Sequence, residues 1–199
     1  MTGGSRSAYV EFIVERLPGI RTARWLSAAD VETYLDEQSW VLGRSIERAE
    51  REGRNSRAWR EVARYVGLLD GLAQEHAGTP VRDLLADAGY LLGTLTSDDQ
   101  LGAAAYGFRT AAGVWGATAR AEPAKTDADG MLYLDKWLSA LLLLMGTHLR
   151  DGDRSAARRV REELMSAVAD ACPDRTEEWN RHTAEAWDAA GSADNEPSS

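Results

Sequence analysis

Arg175 and His182 stand seven residues apart in Arg175-Thr176-Glu177-Glu178-Trp179-Asn180-Arg181-His182, a spacing that puts a guanidinium and an imidazole on one helix face. A guanidinium can hold an anion and an imidazole can move a proton, so these are the side chains of this segment able to do chemistry. The other reactive side chains are sparse. Three histidines occur, His76, His148 and His182, and the single Cys172 sits beside Pro173 with Arg175 as its only basic neighbour. A thiol in that context lacks what would hold it as a thiolate. No Gly-x-Ser-x-Gly elbow and no phosphate-cradling glycine loop is present. Glu178, His182 and Glu185 share a helix face, but three ligands on one helix make a poor cage, and the Glu-x-x-His pairs of a di-iron bundle are missing. Asp127-Ala128-Asp129-Gly130 and Asp151-Gly152-Asp153 supply too few acidic positions for a calcium loop, and Asp98-Asp99 lacks the third aspartate of a magnesium site. These acidic pairs read as turns and helix caps, so neither a metal nor a cofactor is implied.

The positively charged side chains are the other candidate chemistry. Arg150, Arg154 and Arg158, continued by Arg161, can line one face of a helix pair, and Arg57, Arg60 and Arg64 make a second stripe. Either stripe could grip an acidic peptide or a phosphate. Each also has glutamates four residues on, Arg57 before Glu61, Arg158 before Glu162 and Arg159 before Glu163, which are ordinary helix-surface pairs. No aromatic residues interleave with the arginines to stack bases. The formal charge of −9 disfavours nucleic acid and anionic lipid as partners.

The elements that must position these residues are helices throughout. Apolar residues recur at three and four over the whole chain, and no alternating β-branched run occurs. The spacing predicts helices over residues 7–17, 28–52, 56–76, 80–95, 99–121, 131–150, 154–171 and 174–190, with residues 122–130 as the longest and most mobile connection. Glycine, proline and cap residues punctuate the breaks at Gly53, Gly78-Thr79-Pro80, Ser97-Asp98 and Asp151-Gly152-Asp153. The expected organisation is one all-α domain over residues 6–190, built of antiparallel helix pairs stacked as an irregular α-solenoid or compact bundle. Residues 1–5 and 191–199 are expected to be disordered. Trp137, Leu141, Leu144, Met145, Leu164 and Val168 are the expected core, and most of the seven tryptophans should be core anchors.

At 199 residues such a domain can bury roughly 70% of its unfolded surface without a staple. One cysteine precludes an internal disulfide and fits a reducing compartment. The longest apolar run, residues 137–146, is about half of a membrane span. Glu11 and Glu15 fall where a signal peptide would have its apolar segment, so the expected location is cytoplasmic. With two lysines among 23 basic residues and abundant alanine, the composition has the coding bias of a GC-rich bacterial genome.

Residues 141–169 resemble one tetratricopeptide-type helix pair. Gly152-Asp153 matches that family's turn, Ala157 its small position in the second helix, and Leu144 and His148 its large apolar and aromatic positions. Met145 replaces the usual glycine, and the turns at Gly53, Ser97 and Gly152 are 44 and 55 residues apart, where a regular array repeats at 34. The resemblance implies a non-enzymatic module that binds a protein or acidic peptide, with the concave side shared by residues 81–121 and 131–170 as its surface and Arg150, Arg154 and Arg158 as its charge. The Arg175…His182 element is similar to the Arg-x4–6-His element of HEPN-type ribonucleases, with Thr176 as the polar residue after the arginine. That likeness implies, as the alternative, a ribonuclease with Arg175 and His182 as its active pair. A nucleic-acid-binding helical protein is the third reading, and the balance of residues leans away from an enzyme.

The core assignment is testable directly. Leu144→Asp should abolish the cooperative thermal melt followed by circular dichroism, because it buries an unpaired carboxylate. A melt close to that of the unaltered protein would remove Leu144 from the core.

Overall fold

A computed structural model describes residues 40, 43–44, 47–48, 51–52, 55–75, 79–96 and 100–193. The expected helix over 7–17, most of that over 28–52 and its stop at Gly53, the tail at 1–5 and the part of the 191–199 tail beyond residue 193 lie outside these residues, whereas residues 191–193, expected in that tail, are the end of the last helix. The described chain is all helical: α1 (Asn55–Glu75), α2 (Thr79–Leu95), α3 (Leu101–Ala121), α4 (Tyr133–Arg150), α5 (Arg154–Ala171) and α6 (Thr176–Ala193), with a 3-10 turn at Pro173–Arg175 before α6. Each helix packs against its neighbour in sequence, and α4 also meets α6. Among the described residues no helix is long and apolar enough to cross a membrane.

The periodicity explains which faces are buried. In α4 the inward residues are Leu134, Trp137, Leu138, Leu141, Leu144, Met145 and Leu149, and in α5 Ala157, Val160, Leu164 and Val168. All six residues expected in the core are buried. A second buried cluster joins α1 to α2 through Val62, Val66, Leu69, Leu85 and Leu92. Of the tryptophans, Trp115, Trp137 and Trp179 are deep in the core, whereas Trp40 is 66% exposed.

The α4–α5 turn shows why its sequence was legible. Gly152 takes a left-handed φ of +75°, which an L side chain resists. Its N–H donates to the Leu149 carbonyl at 3.1 Å and the Asp153 N–H to the His148 carbonyl at 2.9 Å, the paired bonds of a Schellman stop. The Asp153 carboxylate then accepts from the Ala156 N–H at 2.8 Å and caps α5.

Residues 122–132 connect α3 to α4 outside any helix, as the sequence predicts for 122–130, and the connection carries its own hydrogen bonds. Thr126 and Leu132 form an isolated antiparallel bridge. The Asp127 carboxylate accepts from the Asp129 and Met131 N–H groups at 3.0 and 2.9 Å and from Lys136 Nζ at 3.0 Å. Lys136 also reaches Asp87 on α2 at 3.0 Å and lies over the rings of Trp115 and Tyr133 at 4.6 and 5.5 Å. Burial works against its charge, but the hydrogen bonds to Asp127 and Asp87 outweigh it, and its pKa is raised.

Two glycines decide where α3 sits. A Cβ on Gly107 would overlap the Gly89 carbonyl oxygen, so α2 and α3 touch backbone to backbone there. A Cβ on Gly116 would lie 2.7 Å from the Trp137 indole, so α4 lays its ring flat on α3. Gly107→Ala should therefore destabilise the fold by about 1–3 kcal/mol through overpacking. Gly113→Ala, in the same helix with nothing within 4 Å, should stabilise it by about 0.5–1 kcal/mol. Urea titrations of both variants check this, and equal shifts would show that the helices do not meet at Gly107.

Candidate functional site

The helix crossings open a groove. α1 packs on α2 and little on α3, and the space beside α3 forms a cavity of about 850 Å³. Its floor is α3, which presents Gly102, Ala105, Tyr106, Thr110 and Gly113. Asp70 and Ala73 come from α1, Arg82 and Leu85 from α2, Leu144, Thr147 and His148 from α4, and Asp151 and Asp153 from the turn after it.

The antiparallel crossings fix which residues meet at which end. With Gly89 on Gly107, Arg82 falls seven residues back along α2, level with Val114. With Trp137 on Gly116, His148 falls level with Ala105 and Asp151 level with Gly102. The groove therefore has Arg82 at the C-terminal end of the α3 floor and Asp151 and Asp153 at its N-terminal end. Arg109 lies between them, and its guanidinium pairs with Glu163 of α5 at 2.5 Å. Arg82 is exposed and forms no ion pair among the described residues.

His148 is half-buried in the acidic end. Burial lowers its pKa; Asp153 and Asp151 favour the charged form, and Arg109 and Arg159 oppose it. Thr147 beside it is buried and donates to the Leu143 carbonyl at 2.8 Å.

The residues singled out by sequence are distributed differently. Arg150, Arg154 and Arg158 are exposed at the α4–α5 corner, as expected, but they do not line the groove. Arg158 and Arg161 make no ion pair among the described residues. The expected Arg159–Glu163 pair is replaced: Glu163 is taken by Arg109, and Arg159 donates to Ser155 at 2.8 Å. In the other stripe, Arg64 pairs with Glu61 at 3.5 Å and Arg60 lies over the Trp59 ring at 5.7 Å. The groove cations Arg82 and Arg109 carried no sequence signal of their own. The usable sign was the run Gly102, Arg109 and Gly113, which share one helix face.

Arg175 and His182 are brought together around Glu178. Arg175 donates to Glu178 through Nε at 2.9 Å and Nη2 at 3.2 Å, and through Nη1 to Asp135 of α4 at 2.5 Å. These hydrogen bonds raise its pKa further and hold the Glu178 carboxyl below the usual range. The guanidinium lies 5.6 Å from the Trp179 ring centroid, so it staples the turn before α6 to α4. His182 has Glu178 at 3.9 Å and Glu185 at 3.6 Å, and meets Trp179 edge-on. Cys172 is buried, and burial pushes its thiol pKa up, away from the nucleophilic form. Among the described residues no group of three or more His, Cys, Asp or Glu side chains is placed to hold a metal ion.

No protein-family pattern matches the chain, and no curated protein or solved structure is similar to it.

The groove histidine gives a pH dependence with a definite sign. Its folded pKa lies below the ordinary 6.5. The neutral ring therefore contributes stability that is complete above pH 6.5 and is lost as the pH falls toward the folded value. His148→Gln should remove that part of the acid sensitivity: between pH 7 and 5 its melting temperature should fall less than that of the unaltered protein. Parallel curves in thermal melts would show that His148 is not desolvated in the folded state.

Proposed function

We propose that this chain is a non-enzymatic protein-interaction module that seats a partner segment in the groove floored by α3. The observation that carries the reading is the pair of open glycines on the floor. Gly102 and Gly113 lie in the helix with nothing among the described residues within 4 Å of where a Cβ would be. Gly113, in the helix interior, costs helix stability by about 1 kcal/mol relative to alanine. Gly107 and Gly116 are explained by the close approach of α2 and of Trp137, but no such packing explains Gly102 and Gly113. Their value is access of another chain to the α3 backbone.

The tetratricopeptide-like character of residues 141–169 supports the same reading, since stacked helix pairs offer concave faces to peptides. Arg150, Arg154 and Arg158, exposed beyond the groove, supply charge for an acidic partner surface. A cytoplasmic location goes with the reading through the single cysteine. The ribonuclease alternative has no comparable support. The donors of Arg175 are engaged by Glu178 and Asp135, and with Glu185 three carboxylates surround the pair, a field that repels phosphate.

The test is affinity capture from the native host with the unaltered chain and with Gly113→Trp, which fills the floor from an exposed position. A stoichiometric protein partner should be captured by the first and lost from the second, while both melt alike. Capture of the same partner by both, or of none by either, would remove the groove from the function.

A further inference from the structure

We infer that the partner segment is an α-helix of about three turns that lies antiparallel to α3, with carboxylates in its first turn and cations in its last. The inference rests on the groove reading above and names the chemistry of the occupant. From Gly102 to Gly113 the floor is about 16 Å long, the rise of eleven helical residues. The groove walls are helices, and among the described residues there is no strand edge to pair with an extended peptide. An extended segment laid there would leave its backbone groups unmatched, whereas a helix satisfies its own. The small residues Gly102, Ala105 and Gly113 admit the side chains of a closely approaching helix.

Charge sets the direction. Arg82, exposed and in no ion pair among the described residues, stands at the end of the floor where α3 ends, with the buried Asp70 of α1 at the same end, and Asp151 and Asp153 stand at the end where α3 begins, so the balance of charge runs from near neutral to negative along the floor. A complementary occupant carries acid against Arg82 and base against the two aspartates. Helices ordinarily hold acidic residues at their N-terminus and basic residues at their C-terminus, because these oppose the helix dipole. An occupant of that ordinary polarity must enter with its N-terminus at Arg82, which makes it antiparallel to α3 and opposes the two dipoles.

The test uses the full isotopically labelled chain and three synthetic 16-residue alanine- and leucine-based peptides. One is side-chain-stapled into a helix with two Glu in the first turn and two Lys in the last. The second is stapled with that polarity reversed. The third has the first sequence broken by two prolines. The first should shift amide resonances over residues 101–114 and 144–151 saturably, and bind about five- to tenfold more tightly than the second. The double variant Arg82→Glu/Asp151→Lys should invert that preference, which a difference in peptide helicity cannot do. The proline-broken peptide should bind about tenfold more weakly than the first. Equal binding of both polarities, equal binding of the broken peptide, or no groove shifts from any of them at millimolar concentration overturns the inference. So do groove shifts that appear on concentrating the chain alone, which would make the occupant a second copy. If the peptides fail but Gly113→Trp still abolishes partner capture, the groove reading stands and the helix falls. If capture survives that variant, the groove reading itself falls.

Discussion

The contact between Gly89 and Gly107 is the constraint on which the groove depends. Side chains normally hold helices 8–10 Å apart, and only where both helices lack a Cβ can their backbones touch. Here that happens at the middle of α3, and a Cβ on Gly93, one turn further along α2, would run into the Phe108 ring. α3 is then held on its other flank by Trp137 lying on Gly116. Its bulky residues Phe108 and Trp115 are buried by these contacts, and Tyr90 of α2 closes over both at ring separations of 5.7 and 5.5 Å. What remains on the groove face of α3 is a mixture of small and polar residues with Tyr106 and Val114 among them. The same two crossings that set the depth of α3 also set the order of charges along it.

The second organising interaction is cationic. Among the described residues the three buried tryptophans each have a cation over the ring: Lys136 over Trp115 at 4.6 Å, Arg120 over Trp137 at 4.7 Å and Arg175 over Trp179 at 5.6 Å. A ring face attracts a cation by its quadrupole while the aliphatic stem covers the ring's edge, so one side chain both seals the core and faces solvent. Lys136 carries the largest share of this work, because it also joins α2 to the 122–132 turn through Asp87 and Asp127. The indole N–H groups of Trp115 and Trp179 are buried without a hydrogen-bond partner, and nothing in the structure compensates them directly.

The fold was legible in the sequence wherever one residue type has one physical meaning. Asp151-Gly152-Asp153 could be read as a stop and a cap because a left-handed glycine and an N-cap aspartate have few other uses. The apolar stripe from Leu134 to Leu149 likewise has one buried reading. The groove was illegible for the opposite reason. Gly102, Gly107, Gly113 and Gly116 are the same letter in the same helix, yet two are pressed against neighbours and two face open space. Only the crossing of α2 and α4 separates them. Arg175 and His182 could be placed on one face by spacing, but Asp135, forty positions earlier, is what takes the arginine's fork. The contacts of the 122–130 segment were not legible from within it, because Lys136, which binds Asp127, lies outside it.

The charge of the whole chain bears on how such a groove would select. A net charge of −9 gives a repulsive field for an acidic partner at long range. At physiological ionic strength that field is screened beyond about 8 Å, whereas Arg82 and Arg109 act at contact. Electrostatic attraction would then add little to the rate of encounter and much to the choice among segments already in the groove. Because Arg82 and the pair Asp151 and Asp153 stand at opposite ends, a segment of the proposed polarity inserted backwards would meet less favourable charge at both. Discrimination of that kind would reside in orientation, and it would rely on the position of α3 that the Gly89–Gly107 contact sets.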